Sequence, residues 1–340
     1  MPDIRAEIDA IRQEWGKRLL ILGHYYQDDS VLRHADVLGD SLELSRQAAA
    51  STAERIVFCG VHFMAESADI LTAPNQAVYM PEVGAGCPMA DMADITQVER
   101  AWAHIRRHGD NWLPVVYVNS SARVKAFCGR VGGSACTSSN APRIVKWVLD
   151  QGRRPFFLPD RHLGENTAHD HGLADGDVAV YDFRLPDGGL VPDTLRDCRM
   201  LVWGGFCPIH VAFTVEQIQR IRAADPQAKI IVHPEAPKTV VRLADAHGST
   251  SQIMKYVETA PDGAHIYIGT EVHLVRRLAA RHHGRVTVEA LTSSVCPNMA
   301  KTNEQTLLTL LREWPDRGRV RVPPALAAEA RLCLERMLKL

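Results

Sequence analysis

The sequence predicts an α/β protein of three similar domains, each built on a four-stranded parallel sheet. Three observations carry this. Short apolar runs alternate with helical patterns along the chain, which is the signature of βαβ units. The same order of four strands occurs three times, an internal triplication. Each round also closes near one Cys-Pro step, at Gly86-Cys87-Pro88, Phe206-Cys207-Pro208 and Val295-Cys296-Pro297. A chain of 340 residues exceeds one ordinary core, and the usual size of roughly 100 to 200 residues per domain allows two or three. The thirds are placed at 1–90, 91–208 and 209–297, with the segment 298–340 expected to pack back on the first.

The first third opens with an amphipathic helix over 4–17, with Ile4, Ile8, Ile11 and Trp15 on one stripe and Gly16 as its stop. Arg18 to Tyr26 is a continuous apolar run that breaks into polar residues, as a buried parallel strand with a functional end would. After it come a helical stretch, a short segment at 35–41, a helix from Leu42 to about Arg55, a strand at 56–61, a helix near Met64 to Leu71 and a strand at 77–80. In the middle third the strands fall at 113–119, 134–139, 155–160 and 200–203. In the last third they fall at 230–235, 246–250, 266–270 and 286–291. The tail reads as a helix from Thr306 to Trp314, a turn at Pro315-Asp316-Arg317-Gly318 and an amphipathic helix from Pro324 to Leu340, with no strand set of its own. No low-complexity linker separates the thirds, so closely packed domains are expected.

Lys and Arg number 39 against 40 Asp and Glu, which removes any global electrostatic case for nucleic acid or an anionic membrane as partner. The N-terminus lacks the basic-then-apolar order of a signal peptide, and the most apolar stretch, Leu201 to Phe213, is too short to span a bilayer. The expected location is cytoplasmic. Eight cysteines without a Cys-x-x-Cys pair then read as reduced thiols rather than a disulfide framework. A complete dinucleotide fingerprint, a Walker A sequence and a G-x-S-x-G elbow are all missing.

In open parallel sheets, ligands bind beyond the carboxyl ends of the strands, where helix N-termini offer free N–H groups. Polar residues gather there in every third. After the first strand stand His24 and Tyr26, Tyr117 and Asn119, His233 and Glu235; after the second stand Asp40-Ser41, Thr137-Ser138 and Ser249-Thr250; after the fourth stands a cysteine. If the three sheets face a common axis, all of these meet in one cavity. One Cys-Pro step means little, because free cysteine usually just packs. Three at equivalent positions read as a metal tripod of Cys87, Cys207 and Cys296, while Cys59, Cys128, Cys136, Cys198 and Cys333 are read as packing residues. Three thiolates suit zinc with an open fourth place, or three irons of a [4Fe-4S] cluster with the fourth iron open, and spacing does not choose between them. Gly39-Asp40-Ser41 and Gly248-Ser249-Thr250 also read as helix N-caps, a role compatible with anion binding.

Taken together, Leu22-Gly23-His24-Tyr25-Tyr26-Gln27, Gly39-Asp40-Ser41, Phe63-Met64-Ala65-Glu66, Ala85-Gly86-Cys87-Pro88-Met89-Ala90-Asp91, Tyr117-Val118-Asn119-Ser120-Ser121, Cys136-Thr137-Ser138-Ser139-Asn140, Pro159-Asp160-Arg161-His162-Leu163-Gly164, His233-Pro234-Glu235, Gly248-Ser249-Thr250 and Cys296-Pro297-Asn298-Met299 resemble the quinolinate synthase family. The resemblance implies three similar αβα domains around a pseudo-threefold axis, with a [4Fe-4S] cluster held by Cys87, Cys207 and Cys296. It implies condensation of iminoaspartate with dihydroxyacetone phosphate, releasing phosphate and two waters, to form quinolinate for NAD biosynthesis. The open iron would act as a Lewis acid. By the same resemblance His24 and His233 would hold carboxylates, Tyr117 and Asn119 would orient the intermediate's oxygens, and Glu235 would be the acid-base group. Ser41, Ser138, Ser249 and Thr250 would bind carboxylate or phosphate, and Tyr26 would help close the site. Glu235, Tyr117, His24 and His233 form the candidate catalytic set. A functional link to an L-aspartate oxidase or dehydrogenase, as the source of iminoaspartate, is implied too.

The alternatives are a zinc hydrolase with three cysteine ligands and a non-catalytic iron-sulfur sensor. Two departures from the family stand out. Some members carry a Cys-x-x-Cys-x-x-Cys run at the third ligand, whereas Cys296 is followed by Pro297, Asn298 and Met299, so a redox switch built on that run is absent. The glycines of the stretch from Phe127 to Gly133 suggest a mobile loop.

Overall fold

A computed structural model describes residues 3–340. The first third holds β1 (Leu19–His24), β2 (Val37–Gly39), β3 (Arg55–Cys59) and β4 (Ala77–Tyr79). The second holds β5 (Trp112–Tyr117), β6 (Ser134–Cys136), β7 (Arg154–Leu158), β8 (Val178–Tyr181) and β9 (Met200–Trp203). The third holds β10 (Lys229–Val232), β11 (Ala246–His247), β12 (His265–Gly269) and β13 (Thr287–Ala290), and β14 (Arg319–Val320) follows in the tail. These strands form three separate sheets, ordered β14-β4-β3-β1-β2, β6-β5-β7-β9-β8 and β11-β10-β12-β13. Pairing is parallel throughout except where β14 meets β4.

Setting β14 and β8 aside, each sheet has the same order: second, first, third, fourth strand. The triplication read from the sequence is therefore present in the topology. The expectation of four strands per sheet holds in the third sheet and needs correction in the other two, which have five. Both additions are edge strands. The two residues of β14 become a strand because β4 offers them a partner, not through any pattern of their own. In each sheet the first strand lies between the second and the third, so the chain leaves it in opposite directions. Such a switch point opens a crevice beyond the carboxyl ends of the first and third strands.

The opening helix spans Ile4–Trp15, with the Asp3 side chain as its N-cap and Gly16 in the left-handed region at φ 51°. Helix Glu304–Glu313 packs against it, its Leu307, Leu308 and Leu311 sharing a core with Ile8. That part of the tail lies against the opening helix. The last helix, Pro324–Lys339, goes further. It lies chiefly against helix Ala122–Arg130 and β6 of the second third, and also against helix His62–Leu71 of the first. Ala330, Cys333, Leu334 and Met337 are buried along this seam. Among the described residues no helix is long and apolar enough to cross a membrane.

The same packing overturns the expectation of a mobile loop at 127–133. Residues 127–130 close a helix, and Phe127 and Cys128 are buried. A Cβ on Gly129 would collide with the carbonyl oxygen of Glu329 in the last helix, and one on Gly133 would collide with that of Pro114. Close approach, rather than mobility, explains these glycines. Gly129→Ala is accordingly expected to lower stability by about 1–3 kcal/mol, the usual cost of overpacking. An unchanged denaturation midpoint would contradict the close approach of the two helices.

Candidate active site

The carboxyl ends of the three sheets open onto one cavity of about 110 Å³. His24, Tyr26, Ser41 and Cys87 reach it from the first third, Tyr117, Asn119, Ser138 and Cys207 from the second, and His233, Glu235, Thr250 and Cys296 from the third. Ser249 is the predicted residue that does not line it. Its hydroxyl accepts from the N–H of Gln252 at 3.4 Å while its own N–H donates to Gln252 Oε1 at 2.7 Å, so it belongs to the capping box of helix Thr250–Glu258. Among the described residues no lysine or arginine lines the cavity.

His24 and His233 are held by the same local turn. Nδ1 of His24 accepts from the N–H of Tyr26 at 3.1 Å, and Nδ1 of His233 accepts from that of Glu235 at 3.3 Å. In a neutral ring this fixes the proton on Nε2. Burial pushes the two pKa values down to about 4 and about 3, helped in His233 by the neighbouring His210. Both are therefore neutral hydrogen-bond donors rather than cations.

A chain of hydrogen bonds runs through the third side of the cavity. The Tyr117 hydroxyl donates to Glu235 Oε1 at 2.6 Å, and His210 Nδ1 lies 2.7 Å from Glu235 Oε2. On the far side of the ring, His210 Nε2 lies 3.2 Å from Thr270 Oγ1, which is 2.7 Å from the Tyr26 hydroxyl. The His210 ring stacks on that of His233, with centroids 4.4 Å apart. Burial pushes the Glu235 carboxyl up, but His210, His233 and the two hydrogen bonds outweigh it and hold the pKa down to about 2. An ionised Glu235 accepts at both oxygens, so His210 Nδ1 carries a proton and Nε2 is free to take one from Thr270. The hydroxyl, imidazole and carboxylate thus stand in the same hydrogen-bonded order as those of a catalytic triad. Burial, and then the Glu235 charge, push the phenols of Tyr26 and Tyr117 up, so both stay protonated. The side-chain oxygen of Asn119 is buried with no partner among the described residues, an acceptor left for a ligand.

The three Cys-Pro steps build one motif three times. Each cysteine carbonyl accepts from the N–H four residues on, Asp91 at 3.2 Å, Val211 at 3.1 Å and Ala300 at 3.1 Å. Proline suits the first position of such a turn because it needs no N–H there. The amides that follow favour the thiolate, those of Met89 and Ala90 at Cys87, that of Ile209 at Cys207, and those of Asn298 and Met299 at Cys296. Burial nevertheless pushes the Cys87 thiol up to about 12 and raises Cys207 and Cys296 as well. His210 Nδ1 lies 3.2 Å from the Cys207 sulfur, but the wall holds no lysine or arginine among the described residues, so a bound cation is what would hold all three as thiolates. A three-thiol set with nearby amides that favour the thiolate fits an iron-sulfur ligand group. Cys207, His210 and Glu235 also bring ligand atoms within 4.8 Å of one another.

Residues 6–339 match the family of quinolinate synthetase A proteins. The chain belongs to the quinolinate synthase family. A quinolinate synthase of Geobacillus sp. (strain WCH70) is 46% identical over 351 aligned residues, covering 100% of this chain and 94% of the relative. Those of Corynebacterium glutamicum and Bacillus subtilis (strain 168) are 43% and 42% identical, each over 99% of this chain and over 87% and 93% of the relative. Quinolinate synthase is thus what the chain resembles along its whole length.

Sequence reasoning missed His210 and Thr270. Thr270 directly follows β12, a third strand, and the strand order makes that end part of the crevice. The residues considered had come from the ends of the first, second and fourth strands only. His210 sits within the turn that Cys207 opens, and its distance of three residues from a candidate ligand was the signal available.

Proposed function

We propose that the chain is a quinolinate synthase acting in NAD biosynthesis, condensing iminoaspartate with dihydroxyacetone phosphate to quinolinate with loss of phosphate and two waters. The observation that carries this reading is one cavity lined by a cysteine from each third, each opening the same amide-donating turn. The common strand order and the shared cavity support three αβα domains around a pseudo-threefold axis, with boundaries near 90 and 208. Cys87, Cys207 and Cys296 would hold a [4Fe-4S] cluster, which when bound supplies an open iron as Lewis acid for hydroxyl and carboxylate oxygens.

The chain's own residues supply the rest. Ser41, Ser138 and Thr250 offer hydroxyls beside helix N-termini to a phosphate or carboxylate. His24 and His233 add neutral N–H donors, and the free oxygen of Asn119 accepts from a substrate hydroxyl. Proton transfer belongs to His210, which takes a proton at Nε2 through Thr270 from the Tyr26 side while Glu235 stabilises the imidazolium. Glu235 thereby becomes the orienting carboxylate rather than the group that moves the proton. The Tyr117 hydroxyl, held on Glu235, is placed to donate to an oxygen of the intermediate. An enzyme that oxidises L-aspartate would be the source of iminoaspartate.

The test is quinolinate formation by anaerobically prepared protein given both substrates, together with metal analysis. Roughly four irons per chain and quinolinate turnover are expected. Zinc with no quinolinate would favour the zinc hydrolase, and iron without turnover would favour the sensor.

A further inference from the structure

We propose that Asp40 is a positioning residue that clamps the three thirds together and so sets the spacing of the cavity's anion-binding hydroxyls. The proposal rests on reading the cavity as the substrate site. Asp40 follows β2, and its Oδ1 caps its own helix, Ser41–Ala50, by accepting from the N–H groups of Leu42 and Glu43 at 3.0 Å each. Its Oδ2 reaches across the molecule. It accepts from Ser139 Oγ of the second third at 2.6 Å and from Ser251 Oγ of the last third at 2.6 Å.

One side chain, 7% exposed, therefore joins the starts of three helices, one from each third. A carboxylate offers about four acceptor sites, and four donors are present. Burial pushes the carboxyl up, but the two hydroxyls, the Glu43 amide and His24 outweigh it, so Asp40 is ionised and its bonds are charge-assisted.

The members of this clamp have telling neighbours. Asp40 immediately precedes Ser41, Ser139 follows Ser138, and Ser251 follows Thr250. Ser41, Ser138 and Thr250 are among the hydroxyl residues that line the cavity, one from each third. Drawing the three clamp residues onto one carboxylate draws the three lining hydroxyls to a common ligand. The clamp's own hydrogen bonds include neither the cysteines nor the chain from Tyr26 to Tyr117, although Thr250 Oγ1 donates to the Tyr26 hydroxyl at 3.5 Å, so its main effect falls on binding of the anionic group.

The experiment compares Ser139→Ala, Ser251→Ala and Asp40→Asn with the parent protein, since asparagine keeps the helix cap. Each variant should raise KM for dihydroxyacetone phosphate by about tenfold or more, the loss expected for one charge-assisted hydrogen bond, with kcat within about threefold and iron content unchanged. In the Asp40→Asn background, Ser139→Ala and Ser251→Ala should add little, because the three act as one unit. A plain capping role predicts no KM change in any of them. Hydrogen exchange gives a readout independent of turnover: amides at the starts of helices Ala141–Leu149 and Thr250–Glu258 should exchange faster in all three variants. Unchanged KM, or unchanged exchange, overturns the clamp. A parent protein that forms no quinolinate overturns the functional reading instead, and exchange then still decides for or against the clamp.

Discussion

Changing Cys87, Cys207 or Cys296 to serine, one at a time, is expected to strip iron from the anaerobically purified protein and abolish quinolinate formation. The physical reason is the environment of the thiols. All three line one cavity, burial raises each, and no lysine or arginine in the wall offsets that cost. A serine hydroxyl is a far poorer anion than a thiol, so the turn's amides cannot rescue it. Cys59→Ser is the control, because Cys59 lies buried in β3 and serves packing. It should cost stability and keep the iron. Full iron content in any of the three cavity variants would remove that residue from the ligand set.

Glu235→Gln is expected to keep the iron and lower kcat by roughly 10²- to 10⁴-fold, the range for disabling positioned acid-base catalysis. The carboxylate accepts from two donors, Tyr117 at one oxygen and His210 at the other. An amide accepts at one oxygen and donates from its nitrogen, so one of the two partners must turn away. If His210 flips its proton to Nε2, it can no longer take one from Thr270. His210→Ala should produce a loss of the same order, and the double variant should be little worse than either, because the groups act as a unit. Rates within tenfold of the parent in both single variants would exclude the triad as the proton path. The low pKa of Glu235, about 2, sets the pH behaviour. The carboxylate stays charged above that value, so the orienting charge is not lost by mild acidification and disappears only as pH falls towards 2.

Most of the site was legible because parallel α/β topology turns sequence position into spatial position. A polar residue at the end of an apolar run, such as His24 or His233, must lie at the rim of its sheet, and the repeat then brings three rims together. The family resemblance added the metal and the substrates, which spacing could not. What escaped reading depends on partners far away in the chain. Asp40 looks like an ordinary helix cap until Ser139 and Ser251 arrive from 99 and 211 residues away. The glycines at 129 and 133 resembled those of a mobile loop because the helix that presses on Gly129 begins only at Pro324. The edge strand β14 has two residues and carries no periodicity at all.

The cavity wall without lysine or arginine has a consequence for how the enzyme meets its substrates. Dianionic metabolites are usually drawn in by exposed cationic side chains, and that attraction fades as salt rises. Here the grip comes from hydroxyls, neutral imidazoles and helix amides, all acting at short range in a buried site. The affinity these groups supply should change little with ionic strength. The protein selects by shape and donor placement, so a tight inhibitor needs well-aimed acceptor oxygens more than it needs net negative charge.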